Sequence, residues 1–141
     1  MENQLNIFAV EKKVVEKTKK ISKLDDLFDD KKSMSRQVWS VFVDGAARGN
    51  PGPAGCGIHV ALDKGQSDII KKGYFLGEKT NNQAEYLALL LAVFLIKKKQ
   101  KDLELKNVSL IIHSDSELLV RQMCGVYKVK NLVLQHIKNL I

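Results

Sequence analysis

The sequence predicts an α/β fold in which three antiparallel strands and a parallel fourth strand form a mixed sheet flanked by helices. Three segments rich in apolar and β-branched residues come first and are joined by short turns, which makes neighbouring strands antiparallel. A long segment rich in Ala and Leu follows and is typical of a buried helix. A further apolar segment comes after it, and a strand reached across a helix returns parallel to its sheet.

The first half of the chain contains the three antiparallel strands. Residues 38–43 (VWSVFV) form an apolar and aromatic run typical of a buried strand, which we expect to end at Asp44 before a turn rich in Gly and Pro. Residues 57–62 and 69–76 give the second and third strands, with a turn at residues 63–65 between them.

The central helix has clear signals at both of its ends. Thr80 can cap it, and Gln83, three residues later, completes a capping box. Residues 84–97 are apolar on most sides, so the helix should be well buried. Lysines at positions 97 to 99 suit its C-terminus, where the helix dipole favours cations.

The second half of the chain continues the alternation of strand and helix. Residues 108–112 form the fourth strand, and residues 116–123 form a short helix that Gly125 ends. Apolar residues recur at helical spacing in residues 131–141, which predicts a last helix.

Composition and charge narrow the class of protein. The chain has 141 residues with a net charge of +7, and a basic balance suits a polyanionic partner. Cys56 and Cys124 lack the spacing of a metal site, so we expect buried free thiols in a reducing compartment. No signal segment or membrane span is evident, which predicts a cytoplasmic protein without a membrane partner.

The chain divides near residue 37. Residues 1–37 contain no Gly or Pro and mix acidic with basic side chains, so we interpret them as a charged, partly helical N-terminal arm or linker. An extra contact with nucleic acid is the alternative function for this arm. Residues 38–141 form the predicted domain.

Three carboxylates have positions that would let them meet. Asp44 is expected to end the first strand and Asp115 the fourth, while Glu85 lies early in the helix between them. Each has an ordinary alternative: a turn for Asp44, a helix-dipole contact for Glu85 and a helix cap for Asp115. Clustered carboxylates without a cation partner repel one another, and oxygen-only ligands favour Mg²⁺ or Mn²⁺. Two such ions about 4 Å apart can activate water and stabilise the leaving oxygen of a phosphodiester.

Three sequence motifs around these carboxylates resemble those of a known family. They are DGAARGNPGPAGCG at residues 44–57, TNNQAEYLAL at 80–89 and SDSELLVRQM at 114–123. In order and spacing they resemble the first three motifs of the type 1 ribonucleases H, and the resemblance covers residues 39–141. It implies a five-stranded sheet in the order 3-2-1-4-5, and hydrolysis of the RNA strand of RNA–DNA hybrids with two bound Mg²⁺ or Mn²⁺ ions.

The resemblance also implies roles for individual residues. The metal ligands and catalytic residues would be Asp44, Glu85 and Asp115. Contacts with the minor groove of the hybrid or with DNA phosphates are implied for Ala47, Gly49, Asn50, Thr80, Asn81, Asn82 and Asn131. Small residues and amides suit such contacts, because RNA is distinguished by its 2′-hydroxyl groups in a wide, shallow minor groove.

The fourth motif of that family, a fifth strand followed by a last helix with a further aspartate, has no match in this sequence. His136 does not replace the family's histidine, because it lies in the helix that precedes this strand. We therefore expect the fourth strand to form a sheet edge, and weak or absent cleavage that is greater with Mn²⁺ than with Mg²⁺. Three alternatives stay open: a catalytically inactive nucleic-acid-binding remnant, an interaction module completed by a partner chain or a further C-terminal segment, and another hydrolase of the wider fold.

Overall fold

A computed structural model describes residues 37–62 and 67–141. The elements of these ranges, in chain order, are β1 (Gln37–Ala47), β2 (Gly52–Leu62), β3 (Ser67–Lys79), α1 (Asn81–Asp102), β4 (Val108–His113), α2 (Glu117–Met123) and α3 (Leu132–Leu140). The predicted turn at residues 63–65 lies outside the described residues, and so does the predicted N-terminal arm except for Gln37, which belongs to β1.

The described strands form one mixed sheet in the order β3-β2-β1-β4. β2 pairs antiparallel with both β1 and β3, whereas β4 pairs parallel with β1. The predicted fold class, with three antiparallel strands and a parallel fourth, is therefore confirmed. Within the described part of the chain β4 lies at an edge of this sheet, as expected.

The first two strands extend further than predicted. β1 continues through Asp44 to Ala47, and β2 already begins at Gly52. Asp44 pairs with Gly57, and Ala47 pairs with Ala54. The prediction that β1 ends at Asp44 is wrong, because ladder pairing overrides the low strand propensity of Gly and Ala in this segment.

A core between the sheet and α1 holds these elements together. Alternate residues of β1 and β2 face the helix, which presents small side chains and so packs closely. The buried members of this core are Trp39, Val41, Val43, Cys56, Ile58, Val60, Ala88, Ala92 and Ile96. Close packing here determines where the N-terminal end of α1 meets β1.

The other side of α1 packs against the two later helices. Buried residues from all three helices form this second cluster: Tyr86, Leu89, Leu119, Leu134 and Ile137. Covered on two sides, α1 has the broad apolar surface that the sequence indicated. None of the described helices is both long enough and apolar enough to cross a membrane.

Candidate active site

Three different elements carry the three predicted carboxylates. Asp44 lies within β1 and is exposed, Glu85 lies near the start of α1 and is half-buried, and Asp115 is exposed in the link from β4 to α2. The predictions that Asp44 and Asp115 end their strands are both wrong in detail, since β1 continues past Asp44 and β4 stops at His113.

Gly45 allows β1 to touch α1 beside both Asp44 and Glu85. A Cβ atom at position 45 would lie 2.4 Å from the carbonyl carbon and oxygen of Ala84 and 2.5 Å from the backbone nitrogen of Glu85. No side chain fits there, so only glycine permits this approach of backbone to backbone. The alternative interpretation of Asp44-Gly45 as a turn is wrong, because both residues pair with β2.

Ser116 connects Glu85 to the helix that follows Asp115. Its hydroxyl donates a hydrogen bond to Oε2 of Glu85 at 2.5 Å and accepts one from the backbone N–H of Leu119 at 3.2 Å. One buried hydroxyl thus caps α2 and orients the Glu85 carboxylate. The sequence pattern indicates Ser116 only as the start of a helix and gives no sign of this second role.

The charges of the three acids act on Glu85. Burial is the main cause that raises the pKa of the Glu85 carboxyl above its usual range, and the hydrogen bond from Ser116 opposes this shift. The charges of Asp115 and Asp44 raise the pKa further, so both lie within electrostatic reach of Glu85. Among residues 37–62 and 67–141, the ion pairs are His59–Asp68 and Arg121–Glu117, so none of the three acids has a cationic partner there.

The chemistry of this donor set suits a hard divalent cation, although the side chains do not surround a common point. In the described ranges no group of three or more His, Cys, Asp or Glu residues is arranged to hold a metal ion. Glu85 is turned towards Ser116, and mutual repulsion keeps uncompensated carboxylates apart. An all-oxygen set of this kind, with no cation beside it, fits Mg²⁺ or Mn²⁺ through small side-chain movements.

A second group of predicted residues joins the β1–β2 turn to the start of α1. Oδ1 of Asn50 accepts a hydrogen bond from the backbone N–H of Asn81 at 3.1 Å, and Oδ1 of Asn81 accepts one from the backbone N–H of Ala47 at 2.7 Å. These bonds satisfy an otherwise free N–H of the first helical turn. Each amide keeps an NH₂ group that has no acceptor among the described residues.

The other predicted nucleic-acid contacts have different local roles. Gly49 has a φ of +92° in the turn before β2, which favours glycine. Thr80 forms the predicted capping box with Gln83, and Asn82 is exposed beside it. Asn131 caps α3 by accepting hydrogen bonds from Val133 and Leu134, and among the described residues no hydrogen bond joins its side chain to Asn50 or Asn81.

A buried polar network fixes the segment that leads to Asn131. The Tyr86 hydroxyl donates to Oε1 of Gln122 at 2.7 Å, and Nε2 of Gln122 donates to the carbonyl oxygen of Lys128 at 3.2 Å. Tyr86, which directly follows Glu85, is thereby connected to the segment between α2 and α3. This network was not visible in the sequence, since nothing in the spacing pairs Tyr86 with Gln122.

The histidines and cysteines have no direct part in the site. The rings of His59 and His113 both stack on Phe42, and Nε2 of His59 lies 2.6 Å from Oδ1 of Asp68. Both cysteines are free thiols, but only Cys56 is buried, so the expectation of burial is wrong for Cys124.

Comparison with known proteins places this chain among related nucleases. A compost metagenome enzyme, LC11-RNase H1, is similar at 42% identity with a TM-score of 0.62, over 72% of this chain and 70% of that one. Its structure in complex with an RNA/DNA hybrid gives 40% identity and a TM-score of 0.60, with 70% of each chain covered. Ribonuclease HI of Halobacterium salinarum is 38% identical over 87 residues.

The matched region is a small part of the curated relatives. It covers 61% of this chain but 40% of the halobacterial enzyme, and 62% of this chain but 22% of a bifunctional protein of Mycobacterium tuberculosis that is 35% identical. The family model described as RNase H matches residues 36–139, which is most of the sequence. With this match, the mixed sheet and the three motifs in place, the chain belongs to the RNase H family.

Proposed function

We propose that this domain hydrolyses the RNA strand of RNA–DNA hybrids with divalent metal ions held by Asp44, Glu85 and Asp115. The observation that carries the proposal is that two uncompensated carboxylates, from β1 and the β4–α2 link, lie within electrostatic reach of a third on α1. Acids that only stabilised the fold would have cationic partners, because clustering them otherwise costs free energy.

The roles of the three acids follow from their surroundings. Asp44 is exposed on β1 and is the central ligand, while Glu85 is oriented by Ser116 and Asp115 follows β4, the strand that pairs with β1. Bound Mg²⁺ or Mn²⁺, which we propose as two ions, would supply an activated water and stabilise the leaving oxygen. The protein's own contribution is to bring the three carboxylates near one another before substrate arrives.

Recognition of the hybrid is assigned to the turn and helix start beside the acids. The free NH₂ groups of Asn50 and Asn81 can donate to acceptors in the minor groove, including 2′-hydroxyl oxygens. Gly49 and Ala47 leave room for the sugar backbone to approach. We propose that Thr80, Asn82 and Asn131 contact phosphates of the DNA strand.

The similarity to LC11-RNase H1, which was solved with an RNA/DNA hybrid, supports this substrate. We also propose that residues 1–37 are an arm that precedes the catalytic domain. The family match starts at residue 36, which supports a boundary in this region, although Gln37 already belongs to β1. A cytoplasmic location is part of the proposal and accords with two free thiols.

A substrate panel tests the proposed function. The purified chain is incubated with Mg²⁺ or Mn²⁺ and with end-labelled hybrid, duplex DNA, duplex RNA and single-stranded RNA. We expect cuts only in the RNA strand of the hybrid, and binding that weakens as salt rises because phosphate contacts release counterions. Equal binding to hybrid and duplex DNA, with no cut in any strand, would favour the inactive nucleic-acid-binding alternative.

A further inference from the structure

A groove beside Asp44 extends away from the three acids on the face of the sheet opposite the α1 core. Its floor consists of small residues, since Asp44 pairs with Gly57 across β1 and β2, and Ala46 pairs with Gly55 in the next row. A Cβ atom at Gly57 would meet nothing within 4 Å, so the floor there is open.

Aromatic and cationic side chains line the walls of this groove. Phe75 on β3 pairs with Gly55 and is 78% exposed, an unusually high value for a large apolar side chain on a strand. Arg48 also lines the groove and has no ion pair with any acid of the described ranges. An aromatic ring and a guanidinium group beside an open groove with a floor of small residues are features that suit single-stranded nucleic acid.

We propose that this groove is a subsite for an unpaired stretch of the RNA strand that continues from the hybrid. The proposal rests on the proposed function, because Asp44 belongs both to the groove and to the proposed cleavage site. The strand that meets Asp44 is the RNA strand, so the occupant of the groove continues that strand. Its base must be unpaired, because stacked neighbours in a duplex cover the faces that Phe75 would contact.

The charge around Phe75 favours nucleic acid over an apolar protein partner. Lys71 and Lys72 are exposed on the same edge strand, and Lys79 ends it. The strand carries two acids, Glu78 and Asp68, and Asp68 is paired with His59. A hydrophobic protein partner would have to desolvate these ammonium groups, whereas a phosphate backbone is attracted to them. The domain would therefore prefer hybrids with single-stranded RNA extensions over blunt hybrids.

Binding of three hybrids tests the subsite. A blunt hybrid, one with a 5′ RNA extension and one with a 3′ RNA extension are titrated by fluorescence anisotropy with Ca²⁺, whose looser coordination geometry disfavours cleavage. We expect at least one extension to tighten binding about tenfold, the usual effect of stacking one base on an aromatic ring. Phe75→Ala and Phe75→Leu should abolish this gain, and Phe75→Trp should keep it.

Matched variants separate the subsite from general effects. Phe94 on α1 is also exposed, at 64%, so Phe94→Ala should leave the gain unchanged. Arg48→Ala should reduce the gain and its dependence on salt. A gain that survives in Phe75→Ala, or equal binding of all three hybrids by the unaltered chain, would overturn the subsite but leave the proposed function intact. Failure of the unaltered chain to bind even the blunt hybrid would instead refute the proposed function.

Discussion

Glu85 is the carboxylate of the site whose ionised form is destabilised by its surroundings. It is half-buried, receives one hydrogen bond from Ser116 and lies within reach of two other negative charges. These surroundings favour its protonated form, whereas metal binding requires the ionised form. The site thus lowers stability, because it keeps a half-buried carboxylate close to two other acids.

The first prediction follows from this raised pKa. A carboxyl group with a higher pKa in the folded than in the unfolded chain makes the folded state bind more protons, so its contribution to stability falls as pH rises through that range. Glu85→Gln removes this loss and keeps an acceptor for Ser116. We expect the metal-free variant to melt at a higher temperature than the unaltered chain at neutral pH, and the difference to shrink in acid.

Thermal unfolding with a chelator, repeated over a pH series, measures this difference. Adding metal at 100 times its dissociation constant should stabilise the unaltered chain by about 2.7 kcal/mol. Glu85→Gln should gain much less. If the variant is less stable than the unaltered chain at every pH, ionised Glu85 does not destabilise the folded state.

The two asparagines give the second prediction, because each uses its oxygen within the protein and leaves its NH₂ group free. Asn50→Asp and Asn81→Asp keep the acceptor for the backbone N–H groups but lose the donor. Stability should therefore hold, and a negative charge at the start of α1 is favourable there. Affinity for the hybrid should fall about tenfold or more, because each variant loses the neutral NH₂ donor and also adds a negative charge that repels phosphate.

Asn139→Asp supplies the control for net charge, because Asn139 is exposed at the end of α3, outside this group. It should bind hybrid nearly as well as the unaltered chain in the same anisotropy titration. An equal loss in all three variants would mean that net charge, and not the two amides, determines affinity.

At the level of secondary structure elements, the contact between β1 and α1 determines the geometry of the site. Because Gly45 has no side chain, the backbone of β1 can approach the backbone of α1. The positions of Asp44 and Glu85 depend on this close approach. Gly45→Ala should destabilise the fold by about 3 kcal/mol or more, because the added methyl group would clash with backbone atoms, which cannot move away by a change of rotamer. Gly57→Ala, directly across from Asp44 and open, should change stability far less. Chemical denaturation of the two variants measures the contrast, and similar losses would contradict the argument.

Local signals explain which elements could be predicted. The capping box at Thr80 and Gln83 has a sequence signature, and the structure confirms it. The continuation of β1 to Ala47 has none, because Gly and Ala pair there through tertiary contacts that override their propensities. The motifs identified the three acids, but they could not reveal the hydroxyl of Ser116 or the bond between Tyr86 and Gln122, which joins residues distant in the chain.

For the whole molecule, α1 is the element on which the site depends. It packs on the sheet through one cluster and on α2 and α3 through another, so Glu85 is held within electrostatic reach of Asp44 and Asp115. The Tyr86–Gln122 bond extends this support to the segment before Asn131. Movement of α1 would disturb all three carboxylates together.

Choice of metal ion is a property of the whole site. The three acids surround no common point, so a bound ion must draw them together. Mn²⁺ is less strict than Mg²⁺ about ligand geometry and binds such sites more tightly. We therefore expect greater cleavage with Mn²⁺ than with Mg²⁺ when both are titrated against the same hybrid. Equal rates at saturating Mg²⁺ would indicate a site already well formed.

Cleavage of a hybrid labelled separately on each strand tests the central claim most directly, with the unaltered chain compared with Asp44→Asn and Asp115→Asn. We predict metal-dependent cuts in the RNA strand alone by the unaltered chain, and a loss of about a hundredfold or more in each variant, because misplacing the attacking water by a small distance has that effect. The variants should remain folded and bind the hybrid. Cleavage that persists in Asp44→Asn, or that needs no divalent metal, would contradict the account.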